Sequence, residues 1–296
     1  MKDNCQVKTA EVLNNIRWKD KEHKEMQLNT VQDVVYLTYP TLTNTNMVIH
    51  GFTTRLGGVS KGIYSSMNLS FTRGDEAEAV RENYRKIAEA IGFSCDSIVC
   101  SDQTHTTNVL HVGKKDCGNG VTRPRPYTDV DGLITDEPGV TLATFYADCV
   151  PLYLVDPVRK AIGLSHSGWR GTVGKIGKVT VETMTKEFGC KPENIITAIG
   201  PSICIECYEV SEDVAVEFRR AYAQEKWPSI MESKGKGKYQ LNLWEACREN
   251  FLEAGILPEH IQMPQICTCC NPDFLFSHRA SKGKRGNLAA FLALKP

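Results

Sequence analysis

The chain has 296 residues, enough for one sizeable core or two fused halves, and its 35 lysines and arginines balance 35 aspartates and glutamates. No basic stripe of the kind that neutralises phosphates appears, which argues against nucleic acid as the main partner. The first thirty residues are polar, with no long apolar stretch, so neither a secretory signal nor a membrane span is expected and a soluble cytoplasmic protein is; the twelve cysteines then read as reduced, mostly buried thiols and not as disulfides.

Residues 1–33 form a polar N-terminal extension, and the catalytic domain is expected over residues 34–296. Val34 to Leu37 and Met47 to Ile49 are short apolar runs that predict strands. A loop rich in glycine and hydroxyls follows, Gly51 to Ser60, around Arg55. Val80, Tyr84, Ile87, Ala88 and Ile91 recur at helical spacing, with Gly92 as terminator. Ser97 to Leu110 is β-branched and predicts a strand containing His105. Val140 to Tyr146, Pro151 to Val155 and Ala161 to Ser165 are three further apolar runs. Asp156-Pro157 turns the chain between the last two, and this hairpin brings Cys149 and His166 toward the same sheet end. A helix is expected after Gly171, from Val173 to Phe188, with interior glycines Gly174 and Gly177 that imply close packing. Ile195 to Ile199 predicts a strand. Ser211 caps a helix to about Ala223, and Asn242 with Glu245 forms a capping box for another ending near Gly255. The basic run Lys234 to Lys238 reads as a solvated loop. Ile261 to Ile266 and Leu288 to Leu294 close the chain as strands.

Three segments carry chemistry: Gln103-Thr104-His105, Ala147-Asp148-Cys149 and His166-Ser167-Gly168-Trp169-Arg170-Gly171. Two imidazoles and one thiolate are the ligand set of a zinc ion with its fourth position open, a catalytic arrangement. His105 must be brought in by tertiary folding. A rival reading makes Cys149 a nucleophile and His166 its base, and the ordinary one makes them a satisfied core histidine pair and a buried thiol. Arg55 with Gly57-Gly58 would make an anion site, or an ordinary glycine-rich turn. Asp129, Asp131 and Asp148 are suited to orienting an imidazole, holding a ribose hydroxyl or acid/base work; as turn residues they would bond their own backbone. Cys204-x-x-Cys207 and Cys267-x-Cys269-Cys270 contain two spacings able to build a four-thiolate zinc site. The long gap between them favours a cluster of buried thiols instead.

Taken in order, these segments resemble one family. His50-Gly51-Phe52-Thr53-Thr54-Arg55, Asn68-Leu69-Ser70, Gln103-Thr104-His105, Asp129-Val130-Asp131-Gly132 and Ala147-Asp148-Cys149-Val150-Pro151 carry the likeness. So do His166 to Thr172, Ile199-Gly200-Pro201-Ser202-Ile203, Cys207-Tyr208-Glu209-Val210 and Phe274-x-Phe276-Ser277-x-Arg279. The family is the bacterial laccase-domain or polyphenol-oxidase-like family, also described as purine nucleoside phosphorylase/adenosine deaminase proteins and as peptidoglycan editing factors. The resemblance covers Val34 to the C-terminus. It implies a compact mixed α/β fold, a single domain with a β-sandwich-like core flanked by helices, similar to Cys/His toxin deamidase domains.

By the same resemblance zinc is held by His105, Cys149 and His166, and Arg55 and Asp131 join them as catalytic residues. Arg55, Asn68, Arg170 and Ser202 are then expected at the substrate. The implied activities are phosphorolysis of adenosine, inosine, guanosine and methylthioadenosine, with nucleoside and phosphate as small-molecule partners, and deamination of adenosine. An amidase acting on peptidoglycan precursors is the alternative. Copper-dependent phenol oxidation, named by part of the family, fits less well: multicopper sites use His-x-His pairs, and the seven histidines here form none. Where the family often has two consecutive arginines, Arg279 is followed by Ala280.

Overall fold

The computed structural model describes residues 9–20 and 26–296. Two six-stranded sheets face each other. One runs in the order β1 (Gln27–Val31), β2 (Val34–Thr38), β3 (Val48–Thr53), β15 (Leu288–Leu294), β7 (Thr141–Tyr146), β4 (Ile98–Cys100). The other runs β14 (Ile261–Gln262), β10 (Ile196–Ile199), β8 (Val150–Asp156), β9 (Ala161–Ser167), β6 (Gly132–Thr135), β5 (Val109–His111). Most pairings are antiparallel; β4 with β7, β5 with β6 and β10 with β14 are parallel. A small third sheet joins β11 (Glu209–Ser211), β13 (Lys238–Leu241) and β12 (Met231–Gly235).

The strand alternation explains the layering. In β15, Leu288, Ala290, Leu292 and Leu294 face the core shared by the two large sheets, while Ala289 and Phe291 face outward to a helix, α1 (Ala77–Ile91). In β8, Tyr153 and Val155 enter the shared core. Val150, Leu152 and Leu154 pack on the opposite side with residues of α3 (Ile176–Phe188) and α4 (Leu243–Glu253). Both faces of these strands are covered, so they read as continuous apolar runs, broken in β8 only at its last residue, Asp156. The result is the expected mixed α/β fold with a sandwich-like core between helical layers.

Several expectations need correction. Ser97 to Leu110 is not one strand: β4 ends at Cys100, β5 begins at Val109, and His105 sits between them in a loop with φ 67°. The helix after Gly171 is two pieces, α2 (Trp169–Val173) and α3, separated by Gly174 and by Lys175 at φ 61°. The close packing expected of the two glycines is present: a Cβ at Gly174 would lie 2.6 Å from Thr107, and one at Gly177 3.2 Å from Phe251. Lys234 to Lys238 is a hairpin joining β12 to β13. Within residues 1–33, β1 pairs along its whole length with β2, and Trp18 bridges to Ile266. Residues 1–8 and 21–25 lie outside the described set.

Beside the core, His50 is buried on β3 and its Nε2 accepts the Tyr39 amide at 2.8 Å. Burial pushes its pKa down to about 4. The unfolded chain therefore takes up a proton that the folded one refuses. The contribution of neutral His50 to stability is fully present above pH 6.5 and is lost as pH falls through 4. It amounts to about 3 kcal/mol. Urea unfolding from pH 7 to 4 should show a shallower pH slope for His50→Gln than for the native protein, and identical slopes would refute the assignment.

Candidate metal centre

The β8–β9 hairpin sets two of the three predicted ligands. Val150 pairs with Ser167 and Pro151 with His166, so Cys149, one residue before β8, lies beside the end of β9 that carries His166. Asp148 has φ 88°, a left-handed turn that directs the chain into the strand. Asp148 is locked there: its Oδ1 accepts the Thr268 hydroxyl at 2.6 Å and its Oδ2 the Arg279 amide at 2.7 Å.

His105 arrives through Asp131. This fully buried carboxylate accepts the backbone amides of Thr104, His105 and Thr106 at 3.0, 3.2 and 2.9 Å, and so shapes the loop around itself. Its Oδ1 also lies 2.7 Å from His166 Nδ1. With Nδ1 engaged, His166 presents Nε2 to the cluster. A carboxylate behind an imidazole is the arrangement that fixes the tautomer of a metal-ligating histidine.

His105, Cys149 and His166 place their ligand atoms within 4.8 Å of one another, and Cys149 Sγ is 3.8 Å from His105 Nε2. His166 is buried, Cys149 half-buried and His105 exposed, so the cluster opens on one side. Burial disfavours the Cys149 thiolate, but the His166 charge and hydrogen bonds from both histidines outweigh it and bring the thiol down to about 6. Burial likewise works against a charged His166; the Cys149 thiolate and Asp131 carry it up to about 9. A thiolate and two imidazoles within this span are a fitting donor set for a borderline divalent ion. Gly168 makes the space: a Cβ there would lie 2.4 Å from His105 Cδ2 and 3.2 Å from Cys149 Sγ.

The cluster forms the floor of a cleft of about 480 Å³, a size suited to a small organic ligand. Arg73, Arg123, Arg125 and Arg285 line it, with Phe71 and Phe145 as aromatic walls. Arg285 is buried, and its Nε has no hydrogen-bond partner. Burial and the nearby Arg73 lower its pKa to about 10. Sequence reasoning missed these arginines; they lie far apart along the chain, without a motif that joins them.

Other predicted site residues lie elsewhere. Arg55 does not line this cleft. It donates to the carbonyls of Ser65 at 2.9 Å and Pro272 at 2.7 Å, stacks over Phe276 and borders a second cleft. Arg170 is exposed with its guanidinium over Trp169. Ser202 is buried and accepts the Trp244 indole N–H at 2.7 Å. Asn68 is buried too; its Oδ1 accepts the amide of the cleft residue Asn287 at 2.9 Å, so it touches the site only through that neighbour. Asp129 contributes its backbone carbonyl, which accepts from Asn108.

Residues 49–295 match the family model described as multi-copper polyphenol oxidoreductase laccase. The purine nucleoside phosphorylase YlmD of Geobacillus stearothermophilus is 39% identical over 245 residues, 82% of this chain and 89% of that protein. The adenosine deaminase RL5, from an unknown prokaryotic organism, is 32% identical over 233 residues, 78% of this chain and 88% of that protein. The crystal structure of the hypothetical protein YfiH from Bacillus licheniformis superposes with a TM-score of 0.86 at 32% identity, covering 92% of this chain and 100% of that one. Among the described residues, no helix is long and apolar enough to cross a membrane.

Proposed function

This chain belongs to the multi-copper polyphenol oxidoreductase laccase family, and from that premise we propose that it is a zinc-dependent purine nucleoside phosphorylase that also deaminates adenosine. One observation carries the reading: two imidazoles and a thiolate converge on the floor of an arginine-lined cleft. Relatives named for both activities support it. Adenosine, inosine, guanosine and methylthioadenosine are the substrate class.

His105, Cys149 and His166 would hold zinc, which supplies a Lewis acid for polarising an oxygen nucleophile. In phosphorolysis a phosphate oxygen bonds to C1′ of the ribose, the C1′–N9 bond breaks and its electron pair leaves with the purine. In deamination water adds at C6 and ammonia departs. Asp131 holds His166 in one tautomer throughout. Arg285, already stripped of water and with an unpaired N–H, and Arg73 beside it receive the phosphate charge. Phe71 and Phe145 offer flat faces to the purine. Asp131 would serve as a positioning residue; Arg55, Arg170 and Ser202 would act on the substrate only at a distance from this cleft.

The family's copper chemistry gains no comparable support. Among the described residues only one three-ligand group contains histidine, and it has just two, whereas multicopper oxidation needs several ions. Incubating the protein with adenosine, with and without phosphate, and identifying the products tests the proposal. Adenine with ribose 1-phosphate is expected only with phosphate, and inosine without it. Turnover of a peptidoglycan precursor, with every purine nucleoside inert, would replace it by the amidase reading.

A further inference from the structure

A second cluster lies apart from the cleft floor. Cys204, Cys207, Cys267 and Cys270 bring their sulfurs within 4.8 Å of one another. Two Cys-x-x-Cys turns, 60 residues apart in sequence, are clamped together by a parallel bridge between Ser202 and Cys267 and by the Thr268 amide donating to the Ser202 carbonyl at 3.1 Å. We propose that these four cysteines hold a single structural zinc ion.

The distances carry the argument. With zinc–sulfur bonds of about 2.3 Å, the edges of a tetrahedron of sulfurs measure about 3.8 Å. Cys204 and Cys270 are 3.9 Å apart at sulfur, and Cys207 and Cys270 3.5 Å. The span leaves room for one ion and not for a cluster with its own bridging sulfides. The amides of Cys204 and Cys270 both donate to Cys267 Sγ, at 3.3 and 3.4 Å. Backbone amides aimed at one sulfur favour a thiolate there. Four thiolates around a divalent ion carry a net double negative charge; Lys19, which is paired with Glu206 at 2.9 Å, stands beside Cys204 and Cys270. Cys204 and Cys267 are buried, while Cys207 and Cys270 border the second cleft, which gives the ion a way in. Four protein ligands fill the tetrahedron, so the ion would be structural.

The site would also brace the first one. Thr268, enclosed between Cys267 and Cys270, donates its hydroxyl to Asp148, and the Ile203 amide donates to the Asp148 carbonyl at 3.0 Å. Asp148 precedes Cys149. The tetrathiolate knot therefore fixes the turn that delivers the catalytic thiolate.

The full-length protein, purified under reducing conditions without added metal, should contain two zinc ions per chain. A His105→Ala/His166→Ala variant should retain one, with four sulfur neighbours in its zinc-edge absorption spectrum. Adding Cys204→Ser and Cys207→Ser to that variant should remove the last zinc and lower the melting temperature. Alkylation of the native protein, read by peptide mass spectrometry, decides the matter even where the quadruple variant fails to fold: all four thiols should be protected until a chelator is added. The proposal is overturned by a histidine variant free of zinc, by iron in place of zinc, by a Cys207–Cys270 disulfide, or by four thiols that alkylate freely. Failure of nucleoside turnover would leave these readouts untouched.

Discussion

Cys149→Ala is expected to lose about a thousandfold or more in kcat/KM for adenosine, roughly 4 kcal/mol of transition-state stabilisation, together with the metal of the cleft. The thiolate supplies one of only three donors, and two imidazoles alone leave the ion weakly held. Metal per chain and steady-state rates, measured on the same preparation, separate the two readings of this residue. Loss of both metal and turnover supports a ligand. Retention of the metal with loss of turnover would make Cys149 the nucleophile of a thiol hydrolase. Full activity in protein lacking the ion would sink the metal-centred reading altogether. His105→Ala and His166→Ala should behave like Cys149→Ala. Asp131→Asn removes no ligand but turns one acceptor oxygen into a donor that faces either His166 or the amides of the His105 loop, and should cost at least the roughly 10–100-fold in metal affinity typical of losing such a partner.

Gly168→Ala should be nearly as damaging although it removes nothing. The backbone at Gly168 is extended, with φ −76° and ψ 175°, so alanine meets no torsional penalty. The obstacle is space, because the new methyl would press on the His105 ring and approach the Cys149 sulfur. The ring belongs to a loop held by Asp131 and has to turn away, and a displacement of about 1 Å at such a group can cost on the order of 100-fold in rate. Gly171→Ala is the control: its methyl would find ordinary contacts of 3.5 Å in a short helix. Its kcat/KM should stay within about twofold, since alanine suits a helix better than glycine. Equal activity of the two variants would show that the ligand cage has more slack than its distances indicate.

How much of this was legible follows the range of each interaction. The Cys149–His166 pairing was readable because both residues flank one hairpin whose turn, at Asp156-Pro157, is a local signal. His105 was recognisable as a ligand type, but its delivery was not, since the loop between β4 and β5 is organised by a carboxylate 26 residues further on. Apolar periodicity gave β15 at its exact bounds because both its faces are buried. It failed at β1 and at the third sheet, whose strands are half polar and owe their form to a neighbour. The arginines of the cleft carry no periodic or spacing signature. Arg55 is the converse case: its loop has a composition suited to anions, and in the structure its guanidinium lies on two carbonyls and an aromatic face. The four clustered cysteines had a visible spacing, and only the tertiary bridge at Ser202 closes the 60-residue gap.

The hairpin that carries the cleft floor has a far end as well as a near one. Seven residues of strand, about 23 Å, separate Cys149 from the bend at Asp156, where Val158 is 65% exposed. That bend is thus a natural handle: a fluorophore or surface tether attached at Val158 would ride on the same rigid rod as the reacting groups yet stand a full sheet's length away from incoming ligand.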